Sequence, residues 1–405
     1  MEYDHQKDIY LGIRVLWLTG GIIKLTAPKQ ARTVEEINEK IRTGDVQVLT
    51  VAEMKELVES SGIKVALDEV DVVTTGTMGA MCSSGALINV GHAEPPIKIE
   101  KAWINDVPIP HPGAAVDLYI GASVQSETRG FEYGGGHVIE DLIAGKDVDL
   151  RATAYGTDCY PRTRVETTLT KDDLNQFTLL NFRNGYQRYS CAANGRDETI
   201  YTYMGKLLPR YRNATYSGAG EISPLNNDPN YETIGLGTRI FLGGAPGYVL
   251  GPGTQHNPKN SLGTLMVKGD AKLMSPEYIN GASFTRYGPS IYIGLGIPIP
   301  ILNEGLVEKV AVRDHELITG VVDYGVPSRD RPTISETNYA ELKKGKVEIN
   351  GQSVRVTSMS SLKQAHKICA ELKSWINEGR FTLTKPVERL PLDTIVGPMK
   401  HREDQ

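Results

Sequence analysis

Val70-Asp71-Val72-Val73-Thr74-Thr75-Gly76-Thr77-Met78-Gly79-Ala80-Met81-Cys82-Ser83-Ser84-Gly85 is the stretch that decides how this chain is read. Its first six residues, mostly β-branched, predict a strand. The small residues after them predict a loop. A strand therefore delivers Cys82 into a glycine-rich loop, where backbone N–H groups without bulky neighbours can converge on an anion. Gly79 would open that loop to a ligand, and Ser83 and Ser84 would add hydroxyl donors. A helix beginning at this point would bring its positive dipole end to the sulfur and favour thiolate over thiol. The alternative is a small buried residue in a tight turn.

Upstream, Thr33-Val34-Glu35-Glu36 is a capping box that opens a helix ending near Gly44. The signal repeats at Thr50-Val51-Ala52-Glu53, after the strand-like Val46-Gln47-Val48-Leu49, and predicts a second helix to about Ser61 that stops at Gly62. Downstream, Pro95–Val124 and Arg151–Ile240 alternate in short extended runs, among them Arg164–Leu169 and Thr199–Tyr203. A glycine-dense passage from Gly235 to His256 reads as loops packed against strands. Ser275-Pro276-Glu277 reads as a helix start, Ile291–Leu302 and Val307–Val312 as buried strands, and Ser361–Gly379 as a helix. The expected fold is α/β or α+β, a mixed sheet with flanking helices and a β-rich middle. Residues 1–30 lack caps or a regular apolar face and are expected to be a dispensable extension. Residues 31–391 would form the catalytic domain, with a weak subdivision after residue 160 as a variant, and 392–405 a tail.

Composition limits the function classes. The 405 residues are 40% apolar and 23% charged, enough for a large core. Forty-four Lys and Arg against 49 Asp and Glu leave a net charge of −5, with no basic surplus for nucleic acid. No apolar run approaches the ~20 residues that cross a bilayer. The N-terminus lacks the pattern of a secretory signal, so a cytoplasmic location is expected. Glycine (42) and proline (22) make up almost 16% of the chain, which indicates many turns and loops. Nineteen tyrosines against six phenylalanines suggest hydroxyls that meet polar partners in wet clefts or interfaces.

The four cysteines, Cys82, Cys159, Cys191 and Cys369, form no Cys-x-x-Cys pair, so any shared role must be assembled by the fold. Cys369 falls on the apolar stripe Leu362, Ala365, Ile368, Leu372, Trp375, Ile376 and reads as core. Cys191 lies in a small-residue turn between Arg188 and Arg196, where nothing demands a function. Cys159, in Gly156-Thr157-Asp158-Cys159-Tyr160-Pro161-Arg162-Thr163-Arg164, is followed by two arginines that could stabilise a thiolate or grip a carboxylate. No phosphate loop or dinucleotide fingerprint occurs, and the eight histidines show no metal-ligand spacing.

On these residues the chain resembles the homocysteine-biosynthesis proteins of methanogens and other anaerobes, assigned as L-aspartate-semialdehyde sulfurtransferases. The likeness covers about Ala31 to Pro391. It rests on Thr33–Ile41, Thr75–Gly85, Gly156–Arg162 and Gly243–His256. Many members carry C-terminal CBS modules; a chain ending at Gln405 is expected to lack them, which puts adenosyl-ligand regulation in doubt. The resemblance implies that Cys82 and Cys159 are catalytic. For the reaction the resemblance implies, a cysteine persulfide could deliver the sulfur of sulfide, and a cysteine pair would supply two electrons and be re-reduced by a small ferredoxin-type iron–sulfur protein. The nest expected at Cys82, and not the resemblance, favours that residue as the persulfide carrier.

A substrate with an α-carboxylate needs a cation, for which Arg162 is the first candidate and Arg164, Arg188 and Arg286 are the others. His256 is the candidate proton donor for water loss. No bound cofactor is expected on the main reading. The alternatives are an iron–sulfur cluster held by Cys82, Cys159 and Cys191, or a noncatalytic sulfur-trafficking subunit. A homo-oligomer is left open.

Overall fold

The computed structural model describes residues 32–110 and 112–400, and the expectations for residues 1–30 and for 401–405 lie outside the described residues. Both capping boxes form as expected. Thr33 caps the helix Val34–Thr43, which ends at Gly44 in the left-handed conformation, and Thr50 caps Val51–Ser61, which ends at Gly62.

Ten strands among the described residues build the main sheet: β1 Val48–Thr50, β2 Val72–Ala80, β3 Ser84–Asn89, β4 Asp117–Gly121, β5 Gln176–Asn184, β6 Arg239–Leu242, β7 Ala245–Pro252, β8 Leu265–Asp270, β9 Ile279–Phe284 and β10 Gly288–Pro300. Their order is β1-β2-β10-β6-β7-β8-β5-β3-β4, with β9 also on β10. β1 and β2 are parallel and the other pairs antiparallel. The fold is α/β with a mixed sheet, as expected.

This order has a geometric consequence. Five strands separate β2 from β3, so a flat sheet would hold them roughly 29 Å apart at ~4.8 Å per step. The connecting residues Met81-Cys82-Ser83 can span no more than about 14 Å from Ala80 to Ser84. The sheet must therefore curl until its two halves meet at this turn. Hydrogen bonds mark the closure: Met81 N–H donates to Ile291 O of β10 at 2.7 Å, and Phe182 N–H of β5 donates to Ser83 O at 3.1 Å. Cys82 sits between them, where the chain leaves one strand partner and takes up another.

Three local expectations are corrected. Residues 76–80 are not a loop but the second half of β2, paired with β10 from Gly76↔Gly296 to Ala80↔Tyr292. Their glycines serve packing: a Cβ on Gly76 would lie 2.5 Å from Ala365 O and 3.1 Å from Cys369 Sγ, and one on Gly296 would lie 2.7 Å from Ile368 Cγ2. The helix Leu362–Asn377, capped by Ser361, lies against this bare stretch of sheet. Val307–Val312 is not a strand. Asn303 caps the helix Glu304–Val310 by accepting from Leu306 N–H, and Leu306, Val307 and Val310 are buried on one side. Ser275-Pro276-Glu277 forms a turn into β9 rather than a helix.

Among the described residues, two further sheets of four and six strands and three two-stranded pairs complete the unit. One holds Lys101–Ile104, Val107–Ile109, Val148–Thr153 and Arg164–Leu169. The other holds, in spatial order, Thr333–Asn338, Ile318–Asp323, Cys191–Ala193, Ala214–Tyr216, Gln352–Ser358 and Lys346–Ile349. The second is tied to the closure of the main sheet, because Ser361 N–H donates to Met78 O and Ser360 bridges to Gly79. The described residues, from Arg32 onward, form one compact unit, and among them no subdivision follows residue 160.

Candidate active site

At the Met81–Ser83 turn, Cys82 Sγ accepts from Ser290 Oγ at 3.4 Å and from Tyr287 Oη at 3.9 Å, both supplied by β10 and the turn before it. Burial and the neighbouring thiol raise the Tyr287 phenol above its ordinary range, so it stays protonated and serves as a donor. The expected helix at this point is absent, because the chain runs straight into β3. Support for a sulfur anion comes from side-chain hydroxyls in place of a helix dipole.

Cys82 opens onto a cavity of about 350 Å³ lined also by Ser83, Arg183, Tyr186, Tyr189, Tyr203, Ser217, Gln255 and Tyr287. The main sheet supplies one wall and the segments around the 191–358 sheet the other. Arg183 projects from β5, held by Nη1 donating to Gln255 Oε1 at 2.7 Å and Nε to Thr254 Oγ1 at 3.3 Å. Tyr189 Oη donates to Tyr203 Oη at 2.9 Å, and Tyr203 and Tyr324 hydroxyls lie 2.8 Å apart. Burial pushes the Tyr186 phenol up to about 12. The cavity thus presents one thiol, one guanidinium and several neutral hydroxyl donors, a set suited to a small polar molecule with an anionic group.

The other sites expected from sequence fall elsewhere. Cys159 is exposed in the loop between Val148–Thr153 and Arg164–Leu169, with Thr157 Oγ1 at 3.5 Å from its sulfur. This loop is fastened to the segment after β3: Tyr160 stacks on His92, and Arg162 N–H donates to Pro96 O. Cys82 lies at the beginning of β3, beside Asn181 and Phe182, whereas the end of β3 lies beside Gln176. The two thiols are therefore attached to opposite ends of that strand, and Cys159 is not among the residues lining the Cys82 cavity.

Arg162 grips the carbonyls of Glu94 and Pro95, which fastens the loop rather than leaving the guanidinium for a ligand in the Cys82 cavity. Arg164 pairs with Glu166 at the surface. Arg286 lies over the Tyr201 ring, one residue before Tyr287. Arg188 lines an adjoining cavity.

His256 is buried and fully engaged: its Nδ1 accepts from Thr264 N–H at 3.0 Å, and Nε2 lies 3.0 Å from Pro391 O, so Nε2 carries the proton. It holds a turn and has no free nitrogen for proton transfer. Ser84 Oγ is spent on Met81 O. A Cβ on Gly79 would crowd Ser360 Oγ at 2.9 Å, so this glycine admits the Ser360 bridge and not a ligand.

Cys191 and Cys369 are buried, and burial pushes each thiol up to about 12, which leaves them inert. With Cys191 in a strand core, Cys159 on a surface loop and Cys82 in its own cavity, the three do not fit a shared cluster. Among the described residues, no group of three or more His, Cys, Asp or Glu side chains is placed to hold a metal ion. No helix among them is long and apolar enough to cross a membrane. The tyrosine excess had pointed to a wet cleft. Arg183, Tyr186, Tyr189 and Tyr203 carried no local signal, because they come together only through the fold.

Residues 46–383 match the family described as "Homocysteine biosynthesis enzyme, sulfur-incorporation". The chain is 54% identical to the L-aspartate semialdehyde sulfurtransferase of Methanosarcina acetivorans, over 92% of this chain and 74% of that protein. It is 52% identical to the protein of the same name from Methanocaldococcus jannaschii, over 89% of this chain and 73% of that protein. An uncharacterized protein of Methanothermobacter thermautotrophicus is 33% identical over 78% of this chain and 73% of that protein. No solved structure matches. Matched over most of its length by this family model and by these two relatives, the chain belongs to the homocysteine biosynthesis enzyme family.

Proposed function

We propose that the chain converts L-aspartate semialdehyde to L-homocysteine, with Cys82 carrying the incoming sulfur as a persulfide. The observation that supports this most is the setting of the Cys82 sulfur, which faces a polar cavity with two hydroxyl donors on it and a guanidinium in the same wall. Arg183 takes the substrate carboxylate, the part given to Arg162 on sequence grounds, and its bonds to Gln255 and Thr254 fix its direction. Protonated phenols around the cavity hold the aldehyde oxygen as it becomes hydroxyl and then water.

Overall, aldehyde, hydrogen sulfide, two electrons and two protons give thiol and water. The persulfide forms when sulfide opens the Cys82–Cys159 disulfide, the sulfide sulfur being oxidised as that bond is reduced and Cys159 leaving as thiol. The persulfide's outer sulfur adds to the aldehyde, Cys159 attacks the Cys82 sulfur to return the disulfide and release the hemithioacetal, and loss of water gives the thioaldehyde. A ferredoxin-type protein then reduces the disulfide to the dithiol, whose two electrons and two protons reduce the thioaldehyde to the thiol and close the disulfide again. Disulfide exchange requires sulfurs in bonding contact. Cys159 therefore takes part by displacement of its surface loop, or from a second copy whose loop reaches the Cys82 cavity.

Anaerobic turnover of L-aspartate semialdehyde with sulfide and a low-potential reductant, followed as homocysteine formed, tests the proposal. Wild-type protein should form homocysteine and Cys82→Ser should not, with its fold intact by circular dichroism. Full activity in Cys82→Ser would remove this thiol from the reaction.

A further inference from the structure

Beside the Cys82 cavity lies a larger one of about 790 Å³. Tyr189, Tyr203 and Gln255 line both, so the two spaces share a wall. Three arginines, Arg188, Arg329 and Arg331, line the larger cavity against two carboxylates, Asp330 and Glu336. Asp330 is paired with Arg329 at 3.3 Å. Arg188 and Arg331 have no ion pair among the described residues, and the Nε of each is buried without a hydrogen-bond partner. Buried donors of this kind are costly to leave unmade, and a guanidinium stays charged at any physiological pH.

Burial lowers the Arg188 pKa from its ordinary value, the mark of a cation held away from water without a compensating anion. Arg331 is fixed in place by stacking over the Tyr324 ring at 4.2 Å, and Tyr324 is hydrogen-bonded to Tyr203 of the shared wall. Two directed cations with unmet donors, in a roomy polar cavity, form a receptor for an oxyanion.

We propose that this second cavity binds the phosphate or carboxylate group of a small polar molecule on Arg188 and Arg331, at a site separate from that of the aldehyde. This goes beyond the reaction at Cys82 and does not depend on it. An occupant here would touch Tyr189, Tyr203 and Gln255 from behind and so order one wall of the catalytic cavity.

Isothermal titration of inorganic phosphate and of malonate into the full chain at low ionic strength tests the site, with Cys82→Ser titrated in parallel so that binding is read without turnover. One-site saturable binding of at least one anion is expected, equal in wild type and Cys82→Ser. It should weaken by about tenfold or more in Arg188→Gln and in Arg331→Gln. Tighter phosphate binding would identify a phosphoryl ligand, and tighter malonate binding a carboxylate one. If Arg188→Gln does not fold, Arg331→Gln together with phosphate protection of Arg188 against phenylglyoxal gives the same reading. Absence of saturable binding by both anions, or unchanged affinity in the arginine variants, overturns the proposal. Displacement of the bound anion by L-aspartate semialdehyde in Cys82→Ser would also overturn it, since the cavity would then belong to the substrate site.

Discussion

Cys82 and Cys159 sit in similar sequence settings: each follows a strand, each has hydroxyl residues nearby, and each has glycine close by. The fold treats them differently. Cys82 is clamped on both sides by strands that pair elsewhere in the sheet, so its hydroxyl partners and its cavity are fixed by residues a hundred or more positions away. Cys159 is held by its own loop and by Arg162, whose guanidinium is spent on backbone carbonyls. A nearby arginine in sequence is thus no measure of electrostatic support for a thiol, because a backbone carbonyl can use the same donors.

The sharpest test of this contrast is kinetic. With a small soluble reductant, Cys82→Ser should lower the rate of homocysteine formation by roughly a thousandfold or more, as loss of a nucleophile does. Cys159→Ser should lose as much when sulfide is the sulfur donor, and far less when a small-molecule persulfide charges Cys82 directly without a partner thiol. Equal losses of the two variants with the persulfide donor would mean that Cys159 acts beyond opening of the disulfide, and the contrast would fail.

Alkylation under native conditions resolves the same difference by access. Iodoacetamide should label Cys159 first and Cys82 next, read by peptide mass spectrometry. Cys191 and Cys369 should react slower by about a hundredfold or more, since both are buried and hold their protons. Labelling of Cys191 before Cys82 would place the small sheet, and not the main one, at the accessible site.

Stability should also distinguish the two regions. Gly76→Ala forces a methyl group against Ala365 O and the helix Leu362–Asn377, and should cost about 1–3 kcal/mol in denaturant unfolding. Gly156→Ala, in the Cys159 loop at φ +77°, should cost about 1 kcal/mol, chiefly from backbone strain, since its Cβ would closely meet only the Thr163 side-chain methyl, at 3.2 Å. A larger loss at Gly156 would make that loop the more constrained of the two.

The smallest effect is expected from pH. The buried thiols of Cys191 and Cys369 remain protonated in the folded chain up to about 12, whereas in the unfolded chain they ionise from about 9. The unfolded state therefore holds fewer protons in that window. Stability is full below pH 9 and falls as pH rises towards 12, by on the order of 1 kcal/mol per thiol at pH 10. Unfolding midpoints at pH 8 and pH 10 for wild type and Cys369→Ala measure the slope; an unchanged slope in the variant would deny Cys369 its part.

What could be read from the sequence was what neighbours in sequence determine. The helices opened by Thr33 and Thr50 were legible because a cap is a contact over three residues. The helix Leu362–Asn377 was legible because its buried stripe has helical spacing. Gly76–Ala80 was read as a loop because glycine is poor in strands. Its glycines are needed by a helix almost three hundred residues later, a demand that no local window contains. Val307–Val312 reads as a strand because short apolar runs do not separate strand from helix, and the Asn303 cap that decides for a helix lies before that run. Cys82 was identified, but its donors and Arg183 were not, since Ser290, Tyr287 and Arg183 reach it through sheet closure alone.

That closure also sets an order of events during synthesis. Residues 72–89 leave the ribosome early, yet the hydrogen bonds that frame Cys82 require Phe182 and then Ile291. Contacts of such long sequence separation form slowly and late. The thiol whose partners lie farthest along the chain is thus bare through most of its own production, and until Ile291 has been made only a reducing environment would keep it from oxidation.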